Sequence, residues 1–201
     1  KEYKKETVAY GTQLTAIDAP TKEGHTFSGW SEVPVTMPAK DVTISGVFSI
    51  NTYLVTFKIG DEVIAADSLT YGAAIVAPEA PEKEGHTFNG WGEIAETVPA
   101  GDLIYEGSYS ANTYLLTYTV DGETVQADPV VYGTAITALA EPNKEGHTFS
   151  GWSEIPATMP AKDVTVTGSF TVNSYTLTYT VDGKEYKKET VAYGTQLTAI
   201  D

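Results

Sequence analysis

Three histidines have the most versatile chemistry in this chain, and each follows a Glu-Gly pair: His25, His86 and His147. A histidine beside a carboxylate can serve as an acid–base pair or as a metal ligand. The three side chains are 61 residues apart in sequence, however, and equivalent positions of a linear array do not converge on one site. We therefore interpret them as structural or surface residues, with a binding role as the alternative hypothesis.

The other residue types give no sign of catalysis. The chain has no cysteine, and it contains no Gly-rich phosphate loop, nucleophile elbow or EF-hand pattern. Ser28 stands in Phe-Ser-Gly-Trp, but Asn89 takes its place in the next copy of that motif. A nucleophile active in every copy would not tolerate this change. We predict that the chain is not an enzyme and needs neither a metal nor another cofactor.

One heptapeptide occurs three times at a constant spacing. Gly24–Trp30 returns as Gly85–Trp91 and Gly146–Trp152, with a period of 61 residues both times. A fixed period marks an array of structural units. The array predicts four segments: 1–50 as the C-terminal part of a repeat, 51–111 and 112–172 as complete repeats, and 173–201 as the N-terminal part of a further repeat.

The two ends of the chain carry the same sequence, because residues 1–18 and 184–201 are identical. Segment 1–50 lacks the opening strand that we predict over 173–183. We hypothesise that head-to-tail neighbours are joined there, either as stretches of one longer chain or by strand complementation. The predicted partners are therefore neighbouring repeats of the same chain or head-to-tail copies, and such an assembly is open and filament-forming.

The repeat reads as a series of short strands. Each repeat opens with apolar residues at every second position, with threonines among the residues between them, and this alternation predicts a half-buried strand. Asp121-Gly122 and Asp182-Gly183 predict type I′ hairpin turns, followed by a second strand over 185–193, with its equivalent over 2–10. A last strand is predicted over 42–48, and a helical turn between Gly133 and Leu139 is an open alternative. The fold class is all-β, or β-rich with at most a short helical turn.

Aromatic residues are the predicted core of each small repeat. Their rings are the largest apolar groups that the repeat offers. The alternative is that the tryptophans bind glycans by stacking on sugar rings, with avidity from repetition. The predicted core residues are Phe27, Trp30, Tyr53, Phe57, Phe88, Trp91, Tyr114, Tyr118, Phe149, Trp152, Tyr175 and Tyr179.

Composition excludes several classes of partner. The formal net charge is −15 and the chain has no arginine, which argues against nucleic acid, usually gripped by arginine-rich basic patches. Anionic membrane surfaces are disfavoured for the same reason. No apolar run approaches the length that spans a bilayer, about 20 residues. We expect no membrane insertion and a solvated, self-repelling surface.

The repeat resembles the Listeria–Bacteroides repeat, or internalin-type B-repeat, of bacterial surface proteins. The resemblance rests on residues 175–179, 191–194, 19–20, 22–30 and 41–48, which occur in the order and spacing of that family. It implies a β-grasp-like unit related to mucin-binding-type repeats, set in tandem in a secreted or wall-attached, extracellular protein. It implies no enzymatic activity.

Two functions follow as hypotheses. In the first, the array is an elongated stalk, spacer or fibre segment that projects or links other domains of a surface protein. In the second, it is an adhesin whose repeats bind host or bacterial glycans or proteins multivalently. The exposure of Trp30, Trp91 and Trp152 separates the two hypotheses, since a spacer would bury them and a glycan binder would present them to solvent.

Overall fold

The computed structural model describes residues 2–198 and contains no helix among them. Lys1 and residues 199–201, at the outer ends of the first and last predicted segments, lie outside the described residues. The all-β class is confirmed, and the helical turn considered after Gly133 does not form. The strands are β1 (His25–Trp30), β2 (Gly46–Ile50), β3 (Thr52–Ile59), β4 (Glu62–Thr70), β5 (His86–Phe88), β6 (Leu103–Gly107), β7 (Tyr109–Ala111), β8 (Thr113–Val120), β9 (Glu123–Val131), β10 (His147–Phe149), β11 (Val164–Gly168), β12 (Phe170–Val172), β13 (Ser174–Val181) and β14 (Lys184–Ala192).

The opening strand of each complete repeat is the central strand of a three-stranded sheet. β3 pairs with β4 as an antiparallel hairpin and with β6 in parallel. β8 pairs with β9 and β11 in the same two ways. The hairpin turn has positive φ at Asp121 and Gly122, 52° and 88°, which confirms the predicted turn chemistry.

The prediction of one continuous closing strand is wrong. In repeat 112–172 it divides into β11, which joins the main sheet, and β12, which pairs antiparallel with β10. The break follows Gly168, where the ring of Phe149 lies so close that any side chain would collide with it. In segment 1–50 only the second half forms a strand, as β2 paired with β1.

The partial segments differ from the complete repeats. Residues 2–9 form no strand, although the same sequence forms β14. The reason is that β14 pairs with the preceding β13, whereas no strand precedes residue 2 among those described. Head-to-tail complementation of the two ends stays a prediction.

Each complete repeat buries a small core on one face of its sheet. Leu116, Tyr118, Met159 and Val166 form the core of repeat 112–172. The core of repeat 51–111 consists of Val55, Phe57, Trp91, Val98 and Tyr105. Tyr175 departs from the expectation of a core role, because its side chain is 54% exposed on a strand that has only β14 as a partner within residues 2–198.

The chain divides into two compact units, Lys1–Pro81 with Phe88–Ser108 and Glu82–Thr87 with Tyr109–Asp201. The short segment 82–87 therefore packs with the repeat that follows it. Among the described residues no helix is long and apolar enough to cross a membrane.

Candidate functional site: the joint between successive repeats

A joint of four residues recurs wherever one repeat meets the next. It consists of the Gly-His pair of one repeat, the Asn that opens the next repeat, and the Tyr that follows its second strand. The three copies are Gly24, His25, Asn51 and Tyr71; Gly85, His86, Asn112 and Tyr132; and Gly146, His147, Asn173 and Tyr193.

Backbone hydrogen bonds tie the joint on both sides of the asparagine. In the second joint, the Asn112 N–H donates to the Gly85 carbonyl and the Tyr132 N–H donates to the Asn112 carbonyl, both at 2.8 Å. The equivalent bonds are 2.9 Å in the first joint and 2.8 Å in the third. One residue separates β12 from β13, and it is the tied Asn173. The connection is therefore a single residue held by backbone hydrogen bonds on both sides, and it is not a flexible linker.

The asparagine side chain adds a polar contact that explains its recurrence. Its Oδ1 accepts a hydrogen bond from the threonine after the joint histidine, at 2.7 Å for Thr26 and Asn51. The corresponding distance is 2.6 Å in both other joints. In the first joint the Asn51 Nδ2 also donates to the Tyr53 hydroxyl at 3.3 Å. The asparagine thus holds strands of two successive repeats.

The glycine of the joint forms a notch for a tyrosine ring. Tyr71, Tyr132 and Tyr193 each lie over the backbone of the preceding repeat's glycine, where a Cβ atom would overlap the ring. Gly85 also has a φ of 67°, in the left-handed region that disfavours other residues. Two independent requirements therefore specify glycine at this position.

The joint histidine contacts rings from both repeats. His86 meets Tyr109 of its own repeat at 6.4 Å and Tyr132 of the next at 5.5 Å, both edge to face. Its Nδ1 donates to the Glu84 carbonyl at 2.7 Å, so the proton of the neutral ring lies on Nδ1. His25 and His147 make the same contacts. Within residues 2–198 no cluster of His, Cys, Asp and Glu could hold a metal ion.

At each joint a lysine lies over the aromatic ring that contacts the joint histidine from its own repeat. The Nζ of Lys83 is 5.3 Å from the centre of the Tyr109 ring, and that of Lys144 is 5.4 Å from the Phe170 ring. Such cation–π contacts at exposed sites contribute about 0.5–1 kcal/mol. They keep the lysine of the Lys-Glu-Gly-His motif on the aromatic surface of the joint.

The third joint predicts a pH effect. The negative charge of Glu145 raises the pKa of Tyr193 above its ordinary value, and desolvation, a hydrogen bond to Glu145 and the nearby Tyr175 act in the same direction. The neutral phenol is therefore favoured by folding. Its contribution is fully present below the unfolded pKa, about 10, and is lost as the pH rises through the raised folded value.

We expect an ultraviolet titration to show that Tyr193 ionises above the ordinary pKa of tyrosine, and Glu145→Gln to lower the pKa of Tyr193. Glu154→Gln, a carboxylate outside the joint, serves as the control and should leave the curve unchanged. An identical titration curve for Glu145→Gln and the parent chain would contradict the assignment.

The tryptophans use their polar atoms internally. The indole N–H of Trp91 donates to the Pro78 carbonyl at 2.9 Å, and the side chain is 7% exposed. Trp30 and Trp152 are half-buried, and each donates to an equivalent carbonyl at 2.8 Å. Phe88 and Phe149 stack edge to face on their tryptophans, as Phe27 does on Trp30.

The strand aromatics have equivalent environments in the two complete repeats. Phe57 and Tyr118 are buried and pack against Trp91 and Trp152. Tyr53 and Tyr114 are half-buried at the edge of their cores. Tyr179 of the last hairpin is half-buried as well.

Sequence reasoning singled out the histidines but missed the joint as a unit. The tyrosines and asparagines of the joint carry no functional prediction from the sequence. The signal that could have joined them is their equal recurrence with the Gly-His pair at every repeat boundary. Local pattern alone does not reveal that a tyrosine packs on the glycine of the preceding repeat.

These observations define a class: a tandem array of small all-β repeats whose recurring site is a joint between successive repeats. The family model of the Listeria–Bacteroides repeat domain matches residues 1–45, 53–100 and 114–173. The chain belongs to this family, and it is a repeat segment of the surface-protein type.

Two similar bacterial proteins support this class. The chain is 28% identical over 94% of its length to a putative membrane protein of Evansella cellulosilytica, covering 35% of that protein. It is 35% identical over 53% of its length to internalin H of Listeria monocytogenes, covering 23% of it. The chain thus spans about a third or less of these relatives. The crystal structure of Mub-RV aligns over 62% of the chain at 14% identity with a TM-score of 0.20.

Proposed function

We propose that the chain is a non-enzymatic spacer segment of an extracellular bacterial surface protein, in which the joints hold successive repeats in fixed register. The joint carries this proposal, because the same backbone bonds, the same asparagine contact and the same tyrosine notch occur three times. A spacer needs such repetition, because every connection has to hold the next repeat through the same contacts.

The adhesin alternative has less support from the tryptophans. A ring that stacks on a sugar must present its face to solvent, whereas Trp91 is buried and Trp30 and Trp152 are half-buried. Each indole N–H is already bonded within its repeat. Saturable binding of a glycan by the chain, lost on changing a joint histidine, would favour the adhesin over the spacer.

The dynamics of the joint test the spacer proposal. We expect the backbone amides of Asn51, Asn112 and Asn173 to show NMR order parameters near those of strand residues, about 0.85. A flexible linker between freely moving beads would give values below about 0.6. Amides of the exposed hairpin turn at Gly122 and Gly183 provide an internal comparison. Low values at the three asparagines would overturn the proposal.

A further inference from the structure

We propose that each complete repeat is a clamp against tension, because its opening and closing strands lie side by side in parallel and a pull on its two ends loads their hydrogen bonds in shear. The inference rests on the proposed spacer role, since a segment stretched between two other structures experiences such a pull. It concerns the interior of the repeat, however, and not the joints that carry the spacer proposal.

The topology of repeat 112–172 sets the direction of the load. β8 begins one residue after the joint Asn112, and β11 lies just before the final strand β12. The two strands pair in parallel from Leu116 opposite Val164 to Val120 opposite Gly168. A backward pull on the start of β8 and a forward pull on the end of β11 slide the strands past each other. All bonds of the ladder then resist together.

The hairpin of the same repeat has the opposite mechanical character. β8 and β9 are antiparallel, with Thr113 opposite Val131 at their open end. A pull that separates these two residues opens the ladder one bond at a time from that end. End-to-end tension does not act on the hairpin in this way, because the chain leaves β9 towards the interior of the repeat. The chain order therefore places the stronger geometry in the line of force.

Side-chain carboxylates extend the parallel ladder at its beginning. The Oδ1 of Asp163 accepts the Leu115 N–H at 2.8 Å, and Asp102 accepts the Leu54 N–H at the same distance. Each bond crosses from the residue before the closing strand to the opening strand. The equal geometry in both repeats indicates that this bond is part of the design of the unit.

The far end of the ladder is reinforced differently in the two repeats. In repeat 112–172 the Asp121 N–H donates to the Gly168 carbonyl at 3.1 Å, and its carboxylate accepts the Phe170 N–H at 3.0 Å. In repeat 51–111 an ion pair joins Lys58 to Glu106, directly opposite each other on β3 and β6, at 2.8 Å. The first arrangement connects the turn after the opening strand to Gly168 of β11 and Phe170 of β12, and the second connects the two paired strands directly.

Buried side chains couple sliding of the strands to disruption of the core. Leu116 and Tyr118 of β8 and Val166 of β11 are 8%, 2% and 0% exposed. Their backbone bonds are thereby shielded from competing water on the inner face of the sheet. A shift of one strand along the other would also move its side chains to the wrong face.

Force spectroscopy on the 201-residue chain tests the clamp. The chain has no cysteine, so cysteine pairs introduced at chosen exposed sites are unique handles. Handles at Thr113 and Thr171 apply tension through the ends of repeat 112–172, and handles at Thr113 and Val131 open its hairpin. We expect a several-fold higher rupture force for the first pair, whose two sites are 58 residues apart in sequence and span an extended length of about 200 Å once the repeat is unfolded. Equal rupture forces in the two geometries would overturn the proposal.

A pair of matched variants tests the contribution of Asp163. Asp163→Ala removes the acceptor for the Leu115 N–H, whereas Asp163→Asn retains an oxygen that can accept it. We expect the alanine variant to lower the rupture force measured with the handles at Thr113 and Thr171. The rupture force measured with the hairpin handles at Thr113 and Val131 should not change. The asparagine variant should resemble the parent in both. If the amides of the joint asparagines were rigid and the two pairs of handles gave equal rupture forces, the clamp proposal would be wrong and the spacer proposal would stand.

Discussion

Trp91→Ala is expected to unfold repeat 51–111. Trp91 is 7% exposed and packs edge to face on Phe57 at 5.2 Å and on Phe88 at 5.0 Å. Its replacement leaves a cavity and removes the bond to the Pro78 carbonyl. Changes of this kind cost about 3–5 kcal/mol, which is comparable with the roughly 3–5 kcal/mol that the core of a unit below about 70–80 residues supplies. In calorimetry, the variant of the full chain should show a smaller unfolding enthalpy than the parent chain.

The control for this variant is Val76→Ala in the same repeat, because the Val76 side chain is 83% exposed. Its effect should stay within about 0.5 kcal/mol, as for most surface changes. A Trp91→Ala chain that melts with the temperature and enthalpy of the parent would show that the tryptophan is not an anchor of the core.

Gly85→Ala is expected to open the second joint. The added methyl group has to overlap the ring of Tyr132, and the residue must keep a φ of 67°. The backbone conformation costs an L-residue roughly 1–2 kcal/mol, and forcing extra volume into a packed site costs about 1–3 kcal/mol more. We expect Tyr132 to leave the notch, with faster hydrogen exchange at the amides of Asn112 and Tyr132.

Gly122→Ala separates the cost of the backbone conformation from the cost of the collision with a ring. Gly122 has a φ of 88° and no atom near the position of a new Cβ, so this variant carries the backbone penalty without the collision. The double change Gly85→Ala with Tyr132→Ala should cost less than the sum of the single changes, because the collision is removed. Equal exchange rates in Gly85→Ala and Gly122→Ala would argue against the notch.

The local elements of this fold were predictable because their signals are local. Alternation of apolar residues and threonine identified β8, and Asp121-Gly122 identified its turn. The parallel pairing of β8 with β11 joins residues almost a whole repeat apart, and no local pattern specifies such a partner. The failure at residues 2–9 has the same origin, since an identical sequence forms a strand only where a neighbouring strand pairs with it.

The candidate site shows the same division. Each joint residue has a recognisable type, but the contact of Tyr132 with Gly85 depends on how two repeats are connected. The split closing strand was also beyond sequence reasoning. The ring of Phe149 lies over Gly168 immediately before the break, and this contact joins distant parts of one repeat.

The division between joint and core residues has a consequence for how such arrays change over generations. Phe57 and Tyr105 of one repeat become Tyr118 and Val166 in the next, while the Gly-His pair, the Asn and the Tyr of the joints are unchanged. Each core is closed within its own repeat, so it can vary independently. Recombination that inserts or deletes whole periods joins a standard glycine notch to a standard tyrosine every time. Such an array can change its length in a single genetic step without requiring any new contact.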